Sequence, residues 1–140
     1  MNPRIWLRVA AVLQALGIVG HTIASSKTTG RGPQEQAVFD AMRAFHFQIM
    51  GSSRTYWDFM RGYAHSTTVF FAIMAVLMWQ LGNLGRTNAR EARPFIIVLF
   101  VGQAFLVVLS WTYFFAGPGV VATAIALCLG IASIAVSRAG

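Results

Sequence analysis

The sequence predicts an all-α polytopic membrane protein, a four-helix transmembrane bundle with an amphipathic helix in its first loop. Hydrophobic residues make up 56% of the chain and charged residues 11%, whereas about a quarter of the residues in a soluble domain are charged. The mean hydropathy is +0.62, and four apolar stretches are each long enough to cross a bilayer. A chain of 140 residues leaves room for one integral membrane domain, residues 1–140.

The four predicted spans cover about 5–24, 62–82, 95–116 and 120–137. The first has the length that a ~30 Å hydrocarbon core requires at 1.5 Å per residue. A cleaved signal peptide is the competing interpretation, but Gln14 and His21 interrupt the apolar run and no A-x-A site follows it. Pro94 is predicted to open the third span, and the segment 117–119 is predicted to form a tight turn before the fourth.

The first loop is predicted to contain an amphipathic helix at about 34–50, ended by Gly51. Its apolar residues recur at helical spacing: Val38, Ala41, Met42, Phe45 and Ile49. Two acids and an arginine in this segment place it at the membrane interface rather than across the membrane. Ser52 or Ser53 is predicted to cap a new helix that begins near Arg54.

The net charge of +7 does not indicate nucleic acid, because the basic residues are scattered through loops and helix ends. Membrane lipids are the predicted partners instead. Six arginines fall on the side of the termini, namely Arg4, Arg8, Arg86, Arg90, Arg93 and Arg138, and five basic residues fall in the first loop, namely Lys27, Arg31, Arg43, Arg54 and Arg61. Their density in the short second loop favours a bacterial cytoplasmic membrane with both termini in the cytoplasm.

Alternating spans bring the end of the first, the start of the second, the end of the third and the start of the fourth to one membrane face. The polar and aromatic residues predicted there are His21, Asp58, His65, Ser110, Trp111 and Tyr113. Asp58, Arg61 and His65 share one helix face at i, i+3 and i+7, so Asp58 is expected either to orient His65 or to pair with Arg61.

Two further helices carry a polar stripe with a spacing of seven residues. Gln14 precedes His21 by seven residues, and Gln103 precedes Ser110 by seven. Polar groups that face lipid are costly, so these stripes are expected to face the bundle interior. Hydrogen bonding that fixes helix packing explains them as well as a functional role does.

The functional interpretation makes His21 and Asp58 an acid/base pair, with His65 assisting. Histidine titrates near neutral pH, and a neighbouring carboxylate sets its tautomer or acts as a general base. Arg54 and Arg61 suit an anionic substrate group through bidentate contacts. An aromatic layer completes the predicted substrate site, with Tyr56, Trp111 and Tyr113 as its binding residues. An interfacial aromatic belt explains the same layer.

No cofactor is predicted. A metal held by His21, His65 and Asp58, or a haem between the two histidines, is the alternative that these residue types allow. His46 is expected to be an interface residue, and Cys128 in the last span a packed thiol. The chain contains no phosphate-binding glycine loop, HExxH, CxxC or nucleophile elbow.

The predicted function is therefore a small integral membrane protein with a polar His/Asp/Arg pocket near one membrane face. It acts either as an acid/base enzyme or as a binding protein for a lipid or isoprenoid-like substrate. The alternative is a non-catalytic accessory subunit of a larger membrane complex, and a homo-oligomer is also open. A proton-coupled transporter is less favoured because ionisable residues are absent at mid-membrane depth.

Two motifs resemble those of a family of small, uncharacterised four-span bacterial membrane proteins. They are Gly20-His21-Thr22 and the segment MGSSRTYWDFMRGY at 50–63, and they cover the first two spans. The resemblance implies that His21, Arg54, Tyr56, Asp58 and Gly62 belong to the shared motif, and it brings no established activity. In size and layout alone, the chain is also similar to the DoxX-like proteins and to the EXPERA group of sterol isomerases and ligand-binding proteins.

Overall fold

The computed structural model describes residues 2–138 and confirms the predicted all-α four-helix architecture. In chain order, the elements are α1 (Pro3–Ser25), α2 (Pro33–Ala44), β1 (His46–Ile49), β2 (Ser52–Thr55), α3 (Tyr56–Thr87), α4 (Ala89–Tyr113) and α5 (Ala116–Ser137). Four of these helices, α1, α3, α4 and α5, are long and apolar enough to cross a membrane.

The chain divides into two compact units. The terminal unit comprises Met1–Gly17 and Phe71–Gly140, and the loop unit comprises Ile18–Phe70. Helices α1 and α3 are each divided between the two units. The hydrophobic core belongs to the terminal unit, where its fully buried large side chains are Leu7, Met78, Ile96, Leu129 and Val136.

Two glutamines lie among these apolar side chains, as the polar stripes of the sequence predict. Gln14 is 5% exposed and Gln103 is 3% exposed. Gln103 Nε2 donates a hydrogen bond of 3.2 Å to the Ala122 carbonyl, which links α4 to α5. In the terminal unit, this polar contact therefore serves helix packing.

Glycines let the helices of the terminal unit approach closely. A Cβ on Gly82 would lie 3.5 Å from the Arg4 carbonyl oxygen and 3.6 Å from Leu7 Cβ, so α3 passes close to the start of α1. A Cβ on Gly130 would lie 3.1 Å from the Phe100 ring, where α5 meets α4. Small residues at such crossings are typical of helices packed in membranes.

The junction between α3 and α4 is shorter than the sequence suggests. The second loop reduces to Asn88, whose side chain caps α4 by accepting a 3.2 Å hydrogen bond from the Glu91 N–H. Pro94 lies inside α4 rather than at its start. It is only in the second turn of the helix, where the backbone carbonyl that it leaves unpaired remains close to the polar end.

The predicted tight turn at 117–119 is the first turn of α5. The break between α4 and α5 lies before this segment, at Phe114 and Phe115, which both have extended backbones. Pro118 is compatible with the first helical turn because the N–H that it lacks would have no partner inside the helix there.

The amphipathic helix of the first loop is present, but it ends at Ala44 and not near residue 50. Phe45 is extended, and residues 46–49 pair with residues 52–55 in an antiparallel hairpin. The turn holds Met50 at φ 48° and Gly51 at φ 79°, the positive φ values of a two-residue hairpin turn. Gly51 thus reverses a strand, whereas the sequence analysis expected it to stop a helix.

The start of α3 also differs from expectation, because Thr55 caps it rather than Ser52 or Ser53. The Thr55 hydroxyl accepts from the Asp58 N–H at 3.1 Å, and Asp58 Oδ2 accepts from the Thr55 N–H at 2.9 Å. This reciprocal arrangement is a capping box. At 32 residues the helix is about 48 Å long, well beyond the ~30 Å core, so its polar first turns project from the apolar span.

Candidate functional site

Asp58, the predicted acid/base residue, is exposed in the first turn of α3. One carboxylate oxygen, Oδ2, is bound by the Thr55 N–H in the capping box. The charges that act on the carboxylate come from Arg54 and His46. The structure therefore places next to Asp58 a histidine to which the sequence analysis assigned only an interfacial role, because the hairpin folds His46 back opposite Thr55.

The two predicted histidines have different surroundings. His21 is half-buried, and its Nε2 lies 3.0 Å from the Ala64 carbonyl oxygen. A carbonyl oxygen only accepts, so Nε2 is the protonated nitrogen and donates this bond. His65 is exposed on α3. His21 Nε2 thus bonds to the backbone carbonyl of Ala64, the residue before His65.

Arg61 connects the start of α3 to the end of α1 within the loop unit. Its Nη1 donates a 2.5 Å hydrogen bond to the Ser25 carbonyl at the end of α1. The two ion pairs found within residues 2–138 are Arg31 with Glu35 and Arg43 with Asp40. The predicted alternative of an Asp58–Arg61 pair is therefore replaced by a cap at Asp58 and a backbone contact at Arg61.

An open groove of about 300 Å³ runs along one face of α3 within the loop unit. Its lining residues are Arg54, Asp58, Phe59, Gly62, Tyr63 and Ser66. Gly62 is one of the lining residues, and a Cβ built on it meets no atom within 4 Å. The groove thus begins at two charged residues, Arg54 and Asp58, and continues past aromatic rings.

An aromatic array lies between the hairpin and α3. Tyr56 stacks on Phe45 with ring centroids 5.6 Å apart and contacts Phe47 at 5.2 Å. Phe59 contacts Phe47 at 5.4 Å and Tyr63 at 6.2 Å, so the array ends in the groove. No substrate role was predicted for Phe45 or Phe47, because helical periodicity does not predict the hairpin beside them.

Trp111 and Tyr113, the other predicted aromatic binding residues, belong to the terminal unit. The Trp111 Nε1 donates a 3.1 Å hydrogen bond to Thr123 Oγ1, and its ring covers Gly119 so closely that a Cβ there would lie 2.7 Å away. Trp111 therefore holds α4 against α5. Tyr113 is 74% exposed. Their membership of one site with the histidines stays a prediction.

Arg43 makes more contacts than its place in the sequence suggested. Its guanidinium carbon lies 3.9 Å from the centre of the Trp57 ring. Nη1 donates to Asp40 at 3.2 Å, and Nη2 donates to the Thr28 carbonyl. This one side chain thus ties α2, the preceding loop and α3 together.

The loop before α2 is held by the first turn of that helix. Glu35 Oε2 accepts from the Arg31 N–H at 2.6 Å, and Gln36 Oε1 accepts from the Gly30 N–H at 2.9 Å. The backbone N–H of Arg31, followed by the Arg31 charge, holds the pKa of the Glu35 carboxyl below its ordinary value. A Cβ on Gly30 would come within 2.3 Å of the Gln36 nitrogen, so the loop requires glycine there.

Residues 2–138 contain no group of three His, Cys, Asp or Glu side chains placed to hold a metal ion. The single cysteine, Cys128, is buried in α5 with other core residues.

Four long apolar helices around a buried core define a small integral membrane protein of the all-α class. No family model, curated protein or solved structure matches the chain.

Proposed function

We propose that this protein binds a phosphate-bearing lipid or isoprenoid in the α3 groove, near one membrane face. The observation that supports the proposal is the change of polarity along the groove. Arg54 and Asp58 lie at its start, and Phe59, Gly62 and Tyr63 follow along the same helix face. An amphipathic ligand has the same order of a charged head and an apolar chain.

Arg54 is the residue that would bind the anionic head. It is exposed, and its Nη1 donates a 2.7 Å hydrogen bond to its neighbour, the Ser53 carbonyl. Neither ion pair of residues 2–138 involves Arg54, so its guanidinium can make bidentate contacts to a phosphate. Asp58 would accept a hydrogen bond from a hydroxyl or ammonium group of the same head. Arg61, already bound to Ser25, has a supporting role.

Phe59 and Tyr63 would contact the apolar chain. They are 36% and 70% exposed, so an apolar chain lying in the groove would cover surface of both rings. The helix becomes apolar from about residue 62, so the head would lie at the interface and the chain would enter the membrane. The space beside Gly62 is open, because a Cβ built there would meet no atom within 4 Å.

Filling the groove tests the proposal. Gly62→Leu places a side chain in the groove without a clash, because no atom lies within 4 Å of its Cβ. Gly102→Leu, also in open space on a helix, is the matched control. We expect purified protein to retain farnesyl phosphate or short-chain phosphatidic acid in native mass spectra. Gly62→Leu should weaken binding at least tenfold, and Gly102→Leu should leave it unchanged.

Wild-type affinity in Gly62→Leu would contradict the groove as the binding site. Arg54→Gln should weaken binding of the phosphate ligands but not of diacylglycerol, which has the chains without the charge. Native purification addresses the alternative function: stoichiometric recovery with a larger membrane complex, and an empty groove, would favour an accessory subunit.

In a stricter form of the proposal, Asp58 and His21 act on the ligand as an acid/base pair with the assistance of His65. Support for this form is that His21 contacts α3 at the Ala64 carbonyl, six residues after Asp58 on the same helix. Asp58→Asn keeps an oxygen that can accept from the Thr55 N–H but removes the base. In deuterated water, the wild type should exchange carbon-bound hydrogen of farnesyl phosphate, and Asp58→Asn and His21→Gln should not. Absence of exchange in the wild type would leave a binding protein only.

A further inference from the structure

We propose that Arg4, Arg8 and Arg86 form a separate site for the phosphate of an anionic membrane lipid. All three belong to the terminal unit, whereas the α3 groove belongs to the loop unit. The site is independent of the proposed function, because no groove residue takes part in it.

Close helix packing brings the three arginines together. Gly82 allows α3 to approach the first turns of α1. A Cβ built on Gly82 would lie 3.5 Å from the Arg4 carbonyl oxygen and 3.6 Å from Arg8 Cγ. Arg86 follows Gly82 by one helical turn. Arg8 and Arg86 are accordingly the two charged groups that act on Arg4.

The Arg8 guanidinium is held in a defined orientation. Its carbon lies 4.4 Å from the centre of the Trp79 ring, and Nη2 donates a 3.2 Å hydrogen bond to Asn83 Oδ1. The Nε atoms of Arg4 and Arg8 are buried and have no hydrogen-bond partner within residues 2–138. A guanidinium held by Trp79 and Asn83 differs from a freely solvated charge at the end of a span, and its planar fork matches the geometry of a phosphate.

The terminal unit has too few carboxylates to neutralise this cluster. It contains six arginines and one acidic residue, Glu91, and Glu91 makes no ion pair within residues 2–138. The charges of Arg8 and Arg86 act on Arg4, and like charges near one another repel unless an anion offsets them. Because no carboxylate of residues 2–138 forms an ion pair with Arg4, Arg8 or Arg86, an anion from outside the chain would supply the counter-charge.

Position in the sequence favours a lipid over a soluble phosphate compound. The cluster lies where α1 begins its apolar run at Ile5 and where α3 completes its own, so it lies at headgroup depth. Anionic lipids supply phosphate at that depth and attract basic residues by about 1 kcal/mol each. The lipid would also cover the exposed apolar residues of α1 next to the cluster, Ile5 and Val9.

Native mass spectrometry with dioctanoyl phosphatidic acid tests the site. Arg86→Gln removes a charge at an exposed position. We expect it to weaken binding about fivefold, the loss that corresponds to one basic residue at a lipid surface. Lys27→Gln is the control, since it removes the same charge from an exposed position in the loop unit. The measurements are made in the Gly62→Leu background, so that the α3 groove does not contribute.

Equal affinities of Arg86→Gln and Lys27→Gln would overturn the proposal. Glycerol 3-phosphate, which has the head without the chains, separates the two sources of phosphate. Weak binding of glycerol 3-phosphate supports the lipid, whereas affinity equal to that of phosphatidic acid overturns the lipid assignment. Melting temperatures in detergent check that both variants remain folded. Arg86→Lys provides a second variant, which keeps the charge but loses the bidentate contact.

Discussion

Asp58 and Thr55 each satisfy a backbone N–H of the other at the start of α3. This contact explains the residue pattern Thr-x-x-Asp without any chemistry on a substrate. It also leaves Asp58 at the charged end of the groove, next to Arg54. At the scale of single residues, the structural and the functional roles of Asp58 are therefore separable by substitution.

The cap predicts a defined loss of stability. We expect Thr55→Ala to lower the free energy of unfolding by about 1 kcal/mol, because the N–H of Asp58 loses its acceptor. Asp58→Ala should cost a similar amount and Asp58→Asn much less. Ser53→Ala, at an exposed position outside the cap, should stay within about 0.5 kcal/mol of the wild type. Denaturant titration in detergent measures all four, and equal losses at Ser53 and Thr55 would contradict the cap.

Gly119 predicts a second loss at the residue scale. A Cβ there would lie 2.7 Å from Trp111, and the ring can retreat only by giving up its hydrogen bond to Thr123. We expect Gly119→Ala to destabilise the protein by about 1 to 3 kcal/mol through overpacking. Gly17→Ala is the control, since its Cβ would meet Val121 at an ordinary 3.7 Å. A thermal melt that ranks Gly17→Ala below Gly119→Ala would refute this account of Trp111.

Glu35 predicts a pH dependence confined to the loop before α2. Its pKa is lowered in the folded chain, so its stabilising bond to Arg31 is complete above the ordinary glutamate pKa of about 4.3. The contribution is lost as the pH falls through the lower folded value. In an NMR titration, the Arg31 amide shift should follow Glu35 with a midpoint below that of an exposed glutamate. Glu35→Gln should abolish the transition, and an unshifted midpoint would argue against the bond.

At the scale of elements, the loop unit is organised by contacts between segments distant in sequence. Arg43 on α2 contacts Trp57 on α3 and the Thr28 carbonyl of the loop. The hairpin in between sets the register His46 to Thr55, which aligns Phe45 and Phe47 with Tyr56. The hairpin thus supplies Phe47, which contacts the groove residue Phe59, and helical periodicity does not predict this element.

Removing Arg43 should therefore loosen several elements together. We expect Arg43→Ala to lower stability by about 1 to 2 kcal/mol, since it loses the cation–π contact with Trp57 as well as its hydrogen bonds. It should also speed hydrogen exchange in α2. Arg31→Ala removes a guanidinium whose side chain is 80% exposed and pairs only with Glu35, so its effect should be under about 0.5 kcal/mol. Similar exchange rates in the two variants would contradict the role of Arg43.

At the scale of the whole molecule, four spans predict that the first and second loops lie on opposite sides of the membrane. Cys128 is the only cysteine, so a Cys128→Ser background allows labelling at single sites. Met50→Cys in the exposed hairpin turn and Arg90→Cys at the start of α4 should react with an impermeant maleimide from opposite sides. From the arginine bias, we predict that position 90 reacts from the cytoplasmic side. Reaction of both from one side would contradict four spans.

The number and type of spans follow from the sequence because they depend on local properties. A run of apolar residues has no alternative to a helix in a membrane, since every backbone N–H and carbonyl must be satisfied within it. The burial of Gln14 and Gln103 follows for a related reason, because polar groups avoid lipid. The boundaries were less accurate, since helices α3, α4 and α5 continue through residues that the sequence assigned to loops.

The tertiary structure alone decided which side chains meet. Residues 46–49 lie in a segment with helical periodicity, but pairing with 52–55 makes them a strand, and this pairing brings His46 near Asp58. Likewise, the arginines of α1 and α3 form a cluster only because Gly82 lets the helices approach. Composition and periodicity show whether a single segment is stable as a helix in water or in lipid. These sites depend instead on contacts between segments far apart in the chain.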